Sequence, residues 1–369
     1  MEPSDRPARD LTMPILVLVM SAGALLIVCM LCVAGSIVVR RSFFPDVAST
    51  RTAMAQIFHT VTPLVTPSHA YQTEQVQPSS TTLPSLTSIP STPLPTFSPP
   101  SWVTPPPGKI AYTCFVEGYD QICLMNGDGG GRLQLTHEDA TDFYPSFSPE
   151  GEHIVFSSRR DGNFEIFMMD IRGDNVQKLT DDMGNLYAPE ISPNGKRIVF
   201  TAESGGKQEV WLMKLDGSNA RPVISEDSQG IDPTWSPEGE QVAFASNRGG
   251  STQLYIVNAD GTKLHQVTRG IKNMGGRSSW SPDGEWLAFY AGPDGDRNIY
   301  IIGTDGKNLT QLTSGGDNLG PSFSPDGEWI AFTSFRDGNN EIYVMRSDGT
   351  EQTRMTGDTR SDWQPRWGQ

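Results

Sequence analysis

One phrase returns along the chain at nearly constant spacing, and it constrains the fold more than any other feature. Pro-x-aromatic-Ser-Pro-acid-Gly, or a close variant, begins at Pro145 (PSFSPEG), Pro189 (PEISPNG), Pro233 (PTWSPEG), Ser278 (SSWSPDG) and Pro321 (PSFSPDG). Its opening residues return once more at Pro365 (PRW), and successive copies are 44, 44, 45, 43 and 44 residues apart. A period in the low forties marks an array of small units, each too small to bury its own apolar faces and therefore stacked on its neighbours.

Each unit carries further strand-like runs. The first is KIAYT, HIVFS, RIVFT, QVAFA, WLAFY or WIAFT, starting at Lys109, His153, Arg197, Gln241, Trp286 and Trp329. The second is QICLM, EIFMM, EVWLM, QLYIV, NIYII or EIYVM, starting at Gln121, Glu165, Glu209, Gln253, Asn298 and Glu341. A third closes near Thr136, Thr180, Ile224, Thr268, Thr313 and Thr356. These runs are short, β-branched and aromatic, and largely apolar on both faces, as strands buried between neighbouring sheets must be. Turn residues separate the second and third runs at Asp128-Gly129, Asp216-Gly217, Asp260-Gly261, Asp305-Gly306 and Asp348-Gly349, where Gly tolerates positive φ and Asp binds its own backbone. Arg172-Gly173-Asp174 falls in the same register, so it reads as a turn rather than an adhesion tripeptide.

Four strands per unit predict an all-β, six-bladed β-propeller. The chain enters at the second strand of one unit (Lys109) and ends after a lone first strand (Pro365 to Trp367). Pairing the two ends would complete that blade and close the ring without exposed strand edges.

The phrases Ser324-Pro325-Asp326-Gly327, Ile330-Ala331-Phe332-Thr333-Ser334 and Glu341-Ile342-Tyr343-Val344-Met345 resemble the repeats of the TolB-type β-propellers of bacteria, and the likeness extends over residues 108–369. It implies a platform for protein–protein interaction, usually outside the cytoplasm. The TolB protein also carries a further N-terminal domain and is released into the periplasm. Here an apolar run and a Pro-rich stretch stand in that place, which puts a role in the same envelope complex in doubt.

The region before the repeats divides into residues 1–13, a short polar tail; 14–39, a transmembrane helix; and 40–107, a disordered Pro/Ser/Thr-rich linker. Pro14 to Val39 is 26 residues without a charge, a helix of roughly 39 Å against a hydrocarbon core of ~30 Å. It is longer than the apolar core of a signal peptide, and Val28 and Leu31, which precede Cys29 and Cys32, are not the small residues a lipoprotein signal needs. Residues 60–107 hold 12 Pro, 8 Ser and 10 Thr in 48 positions with Glu74 as the sole charge. Such a stretch cannot bury enough apolar surface to offset chain entropy, and it reaches at most about 150 Å as polyproline II. Arg6 and Arg9 precede the span and Arg40, Arg41 and Arg51 follow it, a weak lean toward a cytoplasmic C-terminal side. The stalk composition argues the other way, for a propeller at the cell membrane and outside the cytoplasm.

Net charge is −15, and all of the imbalance lies in residues 108–369, with 23 basic and 38 acidic side chains. A domain of that sign repels phosphate backbones, so nucleic acid is not an expected partner. Cys114 and Cys123 fall on adjacent strands of one hairpin, as a disulfide or as two unrelated buried thiols. No Gly-x-Ser-x-Gly turn and no phosphate-binding loop occurs, and the five histidines are scattered without zinc spacing; no cofactor or metal is expected. The acidic hairpin residues could hold calcium, but they share no ligand spacing and turn chemistry accounts for them.

A ligand face follows from topology. Two residues before each repeat-initial position stand Trp363, Phe143 and Tyr187 on three consecutive blades, and Ile231, Gly276 and Leu319 on the others. With Tyr144, Asp142 and Asp362, the three aromatics would line an arc at the channel mouth, either as a binding surface or as packing that closes it. The expected partner is a protein or peptide; a polysaccharide or cell-wall ligand is the alternative, and a hydrolytic or lyase-type enzyme is the least supported.

Overall fold

The computed structural model describes residues 92–93, 97–98, 100–102, 104–224, 229–357 and 359–369. The predicted membrane span and the rest of the segment before residue 92 lie outside these residues. Among the described residues every regular element is a strand, in six sheets of four or more strands. Blade two shows the pattern: Asp142–Phe147 innermost, then His153–Asp161, Asn163–Asp170 and the short outer strand Gln177–Lys178, each antiparallel to the next. Blade one closes the ring as the repeat count requires. The C-terminal strand Asp362–Gly368 pairs with Lys109–Val116 in the register Ile110↔Trp367, and Tyr119–Asn126 and Leu133–Gln134 follow outward. Adding Thr92–Pro93 as a fifth strand, paired Thr92↔Gln134, covers the outer edge.

The recurring phrase builds the turn between the first two strands of blades two to six. Its Ser hydroxyl accepts the backbone N–H five residues on, as in Ser192 to Arg197 at 3.0 Å and Ser324 to Trp329 at 2.9 Å. The Ser324 and Ser281 hydroxyls also meet Asp326 and Asp283 at 2.5 Å each. The threonines that close the units have a related use. Thr136, Thr180, Thr268, Thr313 and Thr356 each accept a backbone N–H of the third strand, at 2.8–2.9 Å. Such bonds satisfy buried backbone donors that no ladder reaches. The hairpin aspartates bind their own turns, as Asp260 does at the N–H (2.9 Å) and hydroxyl (2.6 Å) of Thr262. Asp170 does the same for Arg172 and Asp174, so the Arg-Gly-Asp tripeptide is a turn.

Six apolar clusters occupy the six blade interfaces. The one between blades six and one contains Trp329, Ile110, Met125 and Trp367, so the last strand is part of the core. Cys114 and Cys123 lie in the same cluster and are joined as a disulfide, with Cα atoms 5.9 Å apart.

The expectation that the Pro-rich stretch is solvated up to residue 107 differs from what its described end does. Trp102 packs edge-on against Trp329 (centroids 5.4 Å apart) and donates its indole N–H to the Asp128 carbonyl at 2.9 Å. Pro106 is buried, and the Pro107 carbonyl accepts the Trp367 indole N–H at 2.8 Å. Composition averaged over the stretch hid one large ring, and a single tryptophan is enough surface to dock a short segment.

Candidate binding site at the channel mouth

The first strand of each blade lines the centre of the ring, and a β-bulge shapes it. Tyr144, Ala188, Asp232, Gly320 and Gln364, each just before the repeat proline, have φ between 50° and 58°. The ladder slips beside these residues, as between Phe143 and Ser146 or Leu319 and Ser322. A residue before proline is disfavoured in the α region, and a bulge re-aims the side chains around it. The slip leaves Phe143, Tyr187, Ile231, Leu319 and Trp363 in one register, opposite Ser157, Thr201, Ala245, Thr333 and Thr113.

Phe143 and Tyr187 come together as the sequence suggested, with parallel rings 6.1 Å apart. Phe164, at the start of the third strand of blade two, completes the group at 4.6 Å from Phe143 and 5.4 Å from Tyr187. Tyr187 and Tyr144 are each only 6 % exposed, so the packing alternative holds for both. Phe143 and Phe164 keep part of their rings at the surface.

Trp363 is half-buried and stands apart from this cluster, hydrogen-bonded to Asp120 on the third strand of blade one, beyond the strand it pairs with. Burial pushes the Asp120 carboxyl up to about 6; the Trp363 bond lowers it and the nearby Asp142 charge raises it. Phe115 and Tyr119, on the same hairpin as Asp120, are 43 % and 37 % exposed. The accessible apolar rim is therefore Phe115, Tyr119, Trp363, Phe143 and Phe164.

Asp142 and Asp362 are a correction to the sequence reading, which placed them on the ligand face. Both are buried, at 0 % and 1 % exposed. Asp142 is paired with Arg160 at 3.0 Å and Asp362 with Arg132 at 3.2 Å. Arg160 also stacks over Phe156 and Phe167, fixing the pair between strands. Carboxylates held this way brace the inner strand.

Deeper in the ring is a polar layer that the sequence reading did not find. Two residues after each bulge register stand Ser146, Glu190, Thr234, Ser279, Ser322 and Arg366. Several reach to the next blade: Glu190 accepts the Trp235 N–H at 2.9 Å, Ser279 the Phe323 N–H at 3.1 Å, and Ser322 the Trp367 N–H at 3.0 Å. Arg366 crosses the ring, donating to Glu190 of blade three at 2.6 Å and to the Ser278 carbonyl of blade five at 3.2 Å. Blade five itself departs from the pattern, with Gly275-Gly276-Arg277-Ser278 in place of a bulge and proline. A Cβ on Gly275 or Gly276 would strike Tyr290 or Asp232, so only glycine leaves room for those side chains. Among the described residues no three His, Cys, Asp or Glu side chains converge in a way that would hold a metal ion.

The sequence matches the family model of the TolB beta propeller domain over residues 90–223, 181–279 and 270–369. The chain belongs to this family. Among solved structures, this TolB-type propeller is similar to TolB from Acinetobacter baumannii, with 24 % identity, TM-score 0.63, and 71 % of this chain against 66 % of that one covered. It is also similar to the putative TolB from Agrobacterium tumefaciens, at 19 % identity and TM-score 0.56 over 68 % and 89 % of the two chains. Hydrazine synthase from Kuenenia stuttgartiensis shares the fold at 17 % identity and TM-score 0.59, over 70 % and 46 %. At these identities the likeness is one of fold. Propellers of this type are in general binding domains rather than enzymes.

Proposed function

We propose that this TolB-type propeller is a membrane-tethered docking platform, and that the rim formed by Phe115, Tyr119, Trp363, Phe143 and Phe164 receives a protein or peptide. The observation that carries the proposal is the concentration of part-exposed aromatics on rigid hairpins and inner strands of blades one and two. Aromatics at the centre of an interface dominate binding energy. The half-buried Trp363 beside Asp120 also has the makings of a sugar platform, so a polysaccharide is the second reading. A place outside the cytoplasm is supported by the Cys114–Cys123 disulfide, since such bonds persist in oxidising compartments, and by the stalk composition. The uncharged run 14–39 would supply the tether.

The test uses the full-length protein in its native membrane, with a photo-crosslinking residue at Phe115 or Tyr119 and, as control, at the exposed Val176 on the outer edge of blade two. One protein captured from the rim positions and not from Val176 supports the proposal. Phe164→Ala should then weaken capture by about thirty-fold, near 2 kcal/mol. Equal capture from all three positions, or retention of wall polysaccharide without protein, would overturn it. Protease added to intact cells should release the propeller; full protection would place it in the cytoplasm.

A further inference from the structure

Across the channel from the aromatic cluster, blade five places Arg277 at the position held elsewhere by Tyr144, Ala188, Asp232, Gly320 and Gln364. Its side chain spans the ring. One terminal nitrogen approaches the Pro145 carbonyl of blade two, the opposite blade, at a long 3.4 Å, and the guanidinium lies 5.3 Å from the centre of the Tyr144 ring. Gly320, on the adjacent blade, lies beside its aliphatic stem.

Arg277 is only 5 % exposed, yet no carboxylate of the described residues lies within ion-pair distance of it. Its Nε and Nη1 have no acceptor. The Ser278 hydroxyl and the Arg366 Nε, both at the same level, are buried and equally without a partner. Guanidinium nitrogens can only donate, and a hydroxyl can donate as well. Such orphaned buried groups are rare and call for an explanation. Here the explanation must be an acceptor, and two guanidinium groups side by side select an anionic one.

We propose that this cluster is a carboxylate site: Arg277, Arg366 and Ser278 grip one carboxylate at the centre of the channel. The proposal rests on the docking reading above and gives the docked partner a chemistry, a carboxylate at the tip of a peptide segment that enters past Phe143. A monoanion suits the charge balance. Glu190 is already bonded to Arg366, and Asp232 stands close enough to act on Arg277 electrostatically, so a dianion would face two acids. The state of Arg277 agrees with an uncompensated cation. Burial, and then the Arg366 charge, push it down to about 9, which leaves it protonated at neutral pH but in need of a negative partner.

The experiment uses the full-length protein in detergent at fixed ionic strength, titrated calorimetrically with N-acetyl-triglycine, with its C-terminal amide, and with N-acetyl-Gly-Asp-Gly amide. The carboxylate should bind at least ten-fold more tightly than the amide, and Arg277→Gln should abolish that preference while Arg277→Lys retains part of it. A parallel titration of 15N-arginine-labelled wild type should shift one buried Nε–H signal, and this stands even if Arg277→Gln fails to fold. Preference for the third peptide would assign a side-chain carboxylate, preference for the first a chain end; either supports the site. Equal binding of acid and amide, no binding of either, or a folded Arg277→Gln that keeps the preference would overturn it. Those outcomes leave the rim crosslinking result untouched, so the two readings fail separately.

Discussion

Closing the ring by the chain ends predicts that the last strand, although terminal, is as costly to damage as any interior one. Trp367 is 8 % exposed, the same as its interior counterparts Phe147, Trp280 and Phe323. It packs with Ile110, Met125 and Trp329 and donates its indole N–H to the Pro107 carbonyl at 2.8 Å. Truncating a buried Trp to Ala costs about 3–5 kcal/mol, and the abandoned carbonyl adds about 1 kcal/mol. A domain of this size loses roughly 2–4 °C of melting temperature per kcal/mol, so Trp367→Ala should melt about 8–24 °C lower. Trp367→Phe keeps most of the volume and loses the hydrogen bond, for a drop of about 3–6 °C on the same scale. Deleting residues 365–369 also removes the pairs Ile110↔Trp367 and Lys109↔Gly368 and uncovers the blade-six face. It should abolish a single cooperative transition. Differential scanning calorimetry of the full-length protein reads all three, with Phe323→Ala as the interior control. A frayed terminus predicts less than about 1 kcal/mol for Trp367→Ala. A truncated chain that melts within 3 °C of the intact one would refute closure through these residues.

Two other outcomes are expected. Trp102→Ala should lower the melting temperature by several degrees, because Trp102 covers Trp329 and bonds the Asp128 carbonyl, whereas alanine at the exposed Ser101 should leave it unchanged; identical melts for the two variants would show that this segment does not dock. For Asp120, the folded carboxyl at about 6 lies above its ordinary 3.8, so the folded state binds the proton more tightly. Stability from this group is present below about pH 4 and declines as pH rises through 6, by at most about 3 kcal/mol before its exposed edge is discounted. Asp120→Asn should therefore raise the melting temperature at pH 7.5 and change it little at pH 4.5; an equal effect at both values would remove the proposed cause.

The fold was legible because each repeat writes its own turn chemistry. A Ser that must accept the N–H five residues on, an Asp beside it and a Gly at positive φ cannot be exchanged freely, so they recur. The same logic made the closing strand visible from three residues, Pro365 to Trp367. Contacts between distant parts of the chain leave no such trace. Nothing near Asp142 in sequence says that Arg160 will neutralise it, nor does the Pro-rich segment advertise that Trp102 will find Trp329. The register that brings Phe143 beside Tyr187 is visible in the spacing of the repeat, but burial, which separates a packed ring from an offered one, is a property of the neighbours.

The repeat also explains where specificity must reside. Residues that recur in most blades are committed to holding them: the Ser of the turn, the closing Thr, the Asp of the hairpin. Positions free to differ carry what distinguishes this propeller from any other. At the bulge register they read Tyr144, Ala188, Asp232, Arg277, Gly320 and Gln364, and two residues on Ser146, Glu190, Thr234, Ser279, Ser322 and Arg366. A symmetric ring would give a symmetric channel with no preferred occupant. Here Arg277 reaches across to the Tyr144 face of blade two and Arg366 reaches to blades three and five, so the channel is asymmetric. Blade five bears the largest departure: the proline is lost, two glycines make room for Tyr290 and Asp232, and Arg277 crosses the ring. The copy that fits the pattern least is therefore the one that supplies Arg277 to the proposed carboxylate site.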